Sequence, residues 1–263
     1  MTQREAVIQT LERLGGIATL GTLYQEVFKI TECTWKTKTP FASIRQIVQL
    51  APEIYKIKPG LWALESHRKE LESNGIFEQT EKNKETAEVK NFNHSYYQGL
   101  LLTMGNLRDK NTFVPNQDKN KRFDERTLGQ IRTLNSIPEY SFSDIVQRSS
   151  TIDVIWFNQR NMPDSFFEVE HSTDIQNSLL KFEDLIDFSA RMFIVADSVR
   201  KEEYQKKMNY DAFKVLKENK RVSFLSYEDL DKQYNFEISK QEMQTVLKID
   251  GTGGVLYQYF EKI

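Results

Sequence analysis

Residues Ile152–Glu170 read IDVIWFNQRNMPDSFFEVE, and the rest of the chain is organised around them. Two short apolar runs, Ile152-Asp153-Val154-Ile155-Trp156-Phe157 and Ser165-Phe166-Phe167-Glu168-Val169-Glu170, flank a polar turn with Asn158, Asn161 and Pro163. β-Branched and aromatic runs bounded by Asn and Pro predict the two strands of a hairpin. Both strands contain acids. A carboxylate buried in a sheet costs several kcal/mol unless a cation or a donor network meets it, so Asp153, Glu168 and Glu170 need partners. Glu168 and Glu170, two apart, share a strand face, and the hairpin brings Asp153 within reach of them. Three converging carboxylates make a hard oxygen site suited to Mg²⁺ or Mn²⁺. An edge hairpin whose polar face meets water is the competing reading.

Working outward, 263 residues suffice for two modest domains. The apolar and charged fractions are those of a globular protein, with no apolar stretch long enough to span a membrane. The N-terminus, MTQREAVIQTLERLGG, lacks the basic and apolar regions of a signal peptide, and the expectation is a cytoplasmic protein. A single cysteine, Cys33, agrees with a reducing compartment, and His67, His94 and His171 are too scattered to suggest a zinc cluster. A net charge of -2 argues against a uniformly basic nucleic-acid binder. Locally the balance differs: between Lys29 and Lys58 the bases Lys29, Lys36, Lys38, Arg45, Lys56 and Lys58 face only Glu32 and Glu53.

Residues 1–66 predict three helices and a terminal hairpin, the plan of a winged helix-turn-helix. Thr2 caps a first helix that Gly15-Gly16 stops, and a second runs from about Leu20 to Phe28. After the loop holding Lys36 and Lys38, Thr39 and Pro40 open a third helix with Phe41, Ile44, Ile47 and Val48 on its buried stripe. Ser43, Arg45, Gln46 and Gln49 lie on the opposite flank, placed to read bases, while Lys36, Lys38 and Lys58 are placed to meet phosphate. A domain that docks another protein is the competing reading. The strings GGIATLGTLYQEV, KTPFASIRQIV and YKIKPGLWAL resemble the HARE type of helix-turn-helix, which occurs fused to restriction endonucleases and in chromatin proteins.

Residues 67–91 are dense in charge and read as a linker. From Phe92 a second domain is predicted to run to residue 250. It opens with a helix marked by His94, Tyr97, Leu101 and Met104 and ended by Gly105, then a strand at Asn111-Thr112-Phe113-Val114 and a polar loop in which Asp118 reads as a solvated acid. After the central hairpin come a helix over 173–190, a buried strand at Met192–Ala196, two charged helices, a strand at Val222–Ser226 and a closing helix from Tyr227 to Tyr234. Such alternation implies an α/β sandwich with a mixed sheet. A short tail helix is expected at 251–263.

This order resembles the PD-(D/E)xK nuclease core. The strings Tyr-Tyr-Gln-Gly-Leu-Leu, Ile-Asp-Val-Ile-Trp-Phe-Asn, Phe-Glu-Val-Glu-His-Ser-Thr-Asp-Ile and Phe-Ile-Val-Ala are similar to those of endonuclease-like proteins of bacteria and archaea. The resemblance implies that Asp153 is the first metal-binding acid and Glu168 the second. Glu170 stands where a lysine is usual, as in some restriction enzymes of the family. Lys181, about three helical turns past Glu170, is the candidate to replace that lysine, with a solvated helix lysine as the bland alternative. Gln98 stands where related nucleases often carry a supporting acid, and as an amide it can orient water. His171, facing opposite Glu170, is read as a packing residue. The expectation is thus a Mg²⁺- or Mn²⁺-dependent, restriction-like endonuclease that hydrolyses double-stranded DNA, with homodimers supplying two active sites for two strands. A nuclease fold that has lost activity and serves as a DNA-binding regulator is the alternative.

Overall fold

A computed structural model of the chain describes residues 1–35, 37, 39–171 and 174–250, with side chains as far as residue 240. Lys36, Lys38 and the expected tail helix at 251–263 lie outside the described residues. The chain forms two compact units. The first comprises Met1–Leu71 and the segment that begins at Gln233, and the second comprises Glu72–Lys232.

In the first unit the elements are α1 (Gln3–Arg13), β1 (Ile17–Thr19), α2 (Leu20–Glu26), α3 (Pro40–Leu50), β2 (Ile54–Lys58), β3 (Leu61–Leu64) and α4 (Arg68–Ser73). Thr2 and Glu5 close a capping box at the start of α1, and the Thr19 hydroxyl accepts from the Thr22 amide to start α2. The three strands are antiparallel in the order β1-β3-β2, and Gly60 takes φ 83° in the turn between β2 and β3. Val7, Leu11, Leu23, Ile44, Val48 and Leu61 fill the core.

The second unit opens with α5 (Ala87–Leu107), β4 (Asn111–Phe113), α6 (Leu128–Ile131), α7 (Ser143–Ser149), β5 (Val154–Phe157) and β6 (Pro163–Glu170). It continues with α8 (Ile175–Glu183), β7 (Arg191–Ala196), α9 (Lys201–Met208), α10 (Lys214–Asn219), β8 (Val222–Ser226) and the start of α11 (Tyr227–Asp250), whose residues from Gln233 on belong to the first unit. The five strands are ordered β4-β5-β6-β7-β8, antiparallel from β4 to β6 and parallel from β6 to β8. Helices link the parallel strands, as parallel pairing demands. The mixed α/β sheet and the central hairpin agree with the sequence reading.

Side-chain alternation divides the sheet between two helical layers. Ile155, Phe157, Phe166, Met192 and Ile194 pack with Ile175, Leu179 and Phe182 of α8. Each such side chain contributes about 1.5–3 kcal/mol on burial. On the other side, Trp156 donates its indole N–H to Leu101 O of α5 at 3.0 Å.

Several boundaries differ from expectation. The residues expected as a linker carry α4, and α5 starts at Ala87, where the Thr86 hydroxyl caps it by accepting from Val89 N. The helix expected over 173–190 is α8 alone, started by Asp174, whose side chain accepts from Gln176 N. The closing helix is longer than expected: α11 runs on to Asp250.

Candidate active site

Asp153 lies immediately before β5, where the α5 and α8 layers both reach the sheet. Its Oδ2 accepts from the Val169 amide of β6 at 2.8 Å, and its Oδ1 is 3.5 Å from His94 Nε2 of α5. The Asp153 amide donates to Glu168 Oε1 at 3.3 Å. Glu168 and Glu170, both on β6, are 2 % and 4 % exposed, and so depend on partners inside the fold.

Those partners come from α8 and the segment after β7. The Ser178 hydroxyl lies 3.0 Å from Glu168 Oε2 and also meets Glu170 Oε1, so the two carboxylates turn to one point as the strand period requires. Lys181, one helical turn on, sets its ammonium 3.0 and 2.8 Å from the Glu168 oxygens and 3.0 Å from Thr151 O. Arg200 is held by the Glu203 carboxylate and brings Nη1 to 4.0 Å from Glu170 Oε2. The Tyr227 hydroxyl donates to Glu170 O at 3.1 Å, and its ring stacks on Tyr97 at 3.7 Å.

The charges are uneven. Burial and the Asp153 carboxylate push Glu168 up to about 8, against the opposing pull of Lys181 and Ser178. Burial also raises Asp153, but His94, the Val169 amide and Lys181 outweigh it and hold its carboxyl below the usual range. Burial lowers Lys181, and the Glu168 carboxylate more than reverses this, leaving the ammonium well retained. Glu168 therefore holds its proton more tightly than a free carboxyl, between a retained Lys181 ammonium and an ionised Asp153.

A second group adjoins the first through Asp153. His94, Asp118 and Asp153 each offer a ligand atom, all within 4.8 Å of one another, in a geometry that could hold a metal ion. Gln98 Nε2 donates to Asp118 Oδ2 at 2.8 Å and to Asp153 O at 3.2 Å. Asp118 is not the solvated acid expected: it is 4 % exposed and paired with Lys121 Nζ at 2.7 Å.

The structure thus brings together Asp153, Glu168, Glu170, Lys181 and Gln98. His171 takes a half-exposed place with its ring 6.3 Å from that of Tyr227. The residues read as DNA contacts sit in the first unit. Arg45, Gln46 and Gln49 of α3 are exposed and Ser43 is half-buried. Lys58 departs from expectation: a register shift between Lys56 and Lys58 leaves Lys56 exposed and Lys58 3 % exposed, out of contact with solvent-borne phosphate. Sequence reasoning missed four site residues. His94 and Gln98 share a helix face at i and i+4, and Ser178 and Lys181 do so at i and i+3, a signal that was there to be used. No spacing flagged Asp118, which a loop brings in, or Arg200, which ends a single 3-10 turn (Ser198–Arg200) after β7.

Fold and site together define a mixed α/β protein with a buried carboxylate cluster at one point of its sheet. The family described as the type II restriction enzyme NmeDI C-terminal domain matches residues 75–252, and the chain belongs to that family. The type II restriction enzyme NmeDI of Neisseria meningitidis serogroup C is 28% identical over 106 residues, which span 38% of this chain and 29% of that enzyme. No solved structure matches the chain. No helix among the described residues is long and apolar enough to cross a membrane.

Proposed function

We propose that the protein is a metal-dependent endonuclease of the restriction type that hydrolyses phosphodiester bonds of double-stranded DNA. In this reading the second unit is a PD-(D/E)xK-like nuclease, the first is a HARE-like winged helix-turn-helix that aids target recognition, and the enzyme works as a cytoplasmic homodimer. The observation that carries it is the Lys181 ammonium 2.8 Å from Glu168, beside Asp153. An acid pair and a lysine are the reactive groups of that nuclease family, and here the lysine comes from a helix in place of the strand position held by Glu170.

The residues fit a divalent cation. All three acids offer hard oxygens, and burial beside Asp153 disfavours the ionised form of Glu168, a cost that a bound cation would offset. Asp153, Glu168 and Glu170 would hold Mg²⁺ or Mn²⁺. Such an ion, when bound, polarises a phosphoryl oxygen and acidifies water. The chain's own groups do the rest. Ser178 holds the Glu168 and Glu170 carboxylates in register. Lys181 supplies a cation toward charge that grows on the phosphate. Gln98 anchors Asp153 through its carbonyl. On α3, Arg45, Gln46 and Gln49 are exposed side chains with donors of the kind that read base edges, and Ser43 is half-buried beside them.

The test is incubation with plasmid and phage DNA, methylated and unmethylated, with Mg²⁺, Mn²⁺ or EDTA, beside Asp153→Ala. Cutting that needs both metal and Asp153 is expected. Tight metal-independent binding without cutting overturns the enzyme reading and marks a DNA-binding regulator.

A further inference from the structure

We propose that His94, Asp118 and Asp153, with the side-chain carbonyl of Gln98, form a second divalent-cation site that shares Asp153 with the Glu168 and Glu170 position and prefers Mn²⁺ to Mg²⁺. The ligand atoms of the first three lie within 4.8 Å of one another. Opposed oxygen ligands on a small divalent ion stand about 4.2 Å apart, so a slight contraction closes the set.

Gln98 is the independent observation. Its side chain is fully buried, and its amide nitrogen donates to Asp118 Oδ2 at 2.8 Å and to Asp153 O at 3.2 Å, which fixes the amide among the acids. Reversing the amide would press its oxygen against the Asp118 carboxylate, so the orientation is set. Among the described residues no donor reaches Gln98 Oε1. A buried carbonyl oxygen left without a partner is costly, and a cation is the group that satisfies it while neutralising Asp118 and Asp153.

Access and selectivity follow from the same residues. The His94 and Asp153 side chains are 24% and 17% exposed, so an ion can reach them from solvent. The cation now on Asp118 is the Lys121 ammonium, whose side chain is 40% exposed and free to turn outward when a divalent ion takes its place. An imidazole nitrogen in the set favours Mn²⁺ over Mg²⁺, which binds nearly pure oxygen sites. Asp153 turns Oδ1 toward His94 and gives Oδ2 to the Val169 amide of β6, so Oδ1 is the oxygen this site would use.

This site rests on residue geometry, and the proposed nuclease reaction is tested apart from it. Mn²⁺ titration of the full chain, followed by electron paramagnetic resonance, is expected to count two bound ions. His94→Ala combined with Asp118→Asn is expected to lose one, or to weaken it by about tenfold or more, while Glu168→Gln with Glu170→Gln keeps it. Mg²⁺ should displace the ion held by His94 last. His94→Asn alone keeps a polar side chain at a partly exposed position, and its circular dichroism shows whether the fold is intact while the same ion weakens. Equal stoichiometry and affinity in the wild type and the folded His94 and Asp118 variants would overturn the site. Loss of that Mn²⁺ without any DNA cutting by the wild type leaves this site standing and removes the nuclease reading. Cutting with no loss of Mn²⁺ does the reverse.

Discussion

The acid cluster on β6 and the outer flank of α3 hold the two sets of residues that the sequence marks out, and they differ in how their polar groups are met. Glu168 and Glu170 are nearly sealed from solvent, and each finds its counter-groups within the unit: Ser178 and Lys181 for the first, Ser178 and Arg200 for the second. Gln46 and Gln49 are exposed, and Arg45, also exposed, reaches the Tyr24 hydroxyl at 3.4 Å. A buried charge must be balanced by the fold that buries it, so its neighbours disclose its purpose. A solvated one is balanced by water until a ligand arrives, so its neighbours disclose little.

The sharpest way to break the comparison is Asp153→Ala. It removes the group common to both acid clusters, and cutting of plasmid DNA is expected to fall by roughly 1000-fold or more, read in single-turnover assays. Lys181→Met comes next: the acids remain, but cutting should drop by roughly 100-fold while DNA binding holds. A Lys181→Met protein that cuts normally would show that the ammonium serves structure only.

The third effect is on stability in EDTA. The Glu168 carboxyl, raised from 4.5 to about 8 by burial and Asp153, keeps its proton in the folded chain after the unfolded chain has lost it. Its contribution is complete below about pH 4.5 and declines as pH rises, until it is gone above about pH 8. Glu168→Gln should flatten this decline, so that the variant melts above the wild type at pH 9 but not at pH 5; parallel melting curves would refute it. The smallest effect belongs to α3: Arg45→Ala should weaken DNA binding by roughly tenfold with no change in melting temperature. Unaltered binding would move recognition away from this helix.

How much of this was legible depended on whether a residue's partner lay on its own element or a distant one. The β5–β6 hairpin, the shared face of Glu168 and Glu170 and the strand at Met192–Ala196 follow from period-two patterns and turn residues. Lys181 was reachable by counting turns from Glu170, though sequence alone left its direction open. Asp118 was not legible, because a polar loop of 116–126 has the composition of a solvated segment, and only tertiary folding carries it under Gln98. Lys58 shows the opposite failure: strict alternation turns it outward with Lys56, and one shifted register undoes that.

The wall behind the acids is set by two residues that have no side chain at all. A β-carbon on Gly99 would overlap the Phe123 ring, and one on Gly105 would meet Thr112 and the Trp156 indole. These glycines let α5 press flat onto its neighbours, and that helix carries the imidazole of His94 and the amide of Gln98. One methyl group at position 99 would therefore act as a shim, lifting both groups away from Asp153 while every reactive atom stayed in the chain. How near α5 lies to its neighbours is written in the places where bulk is forbidden.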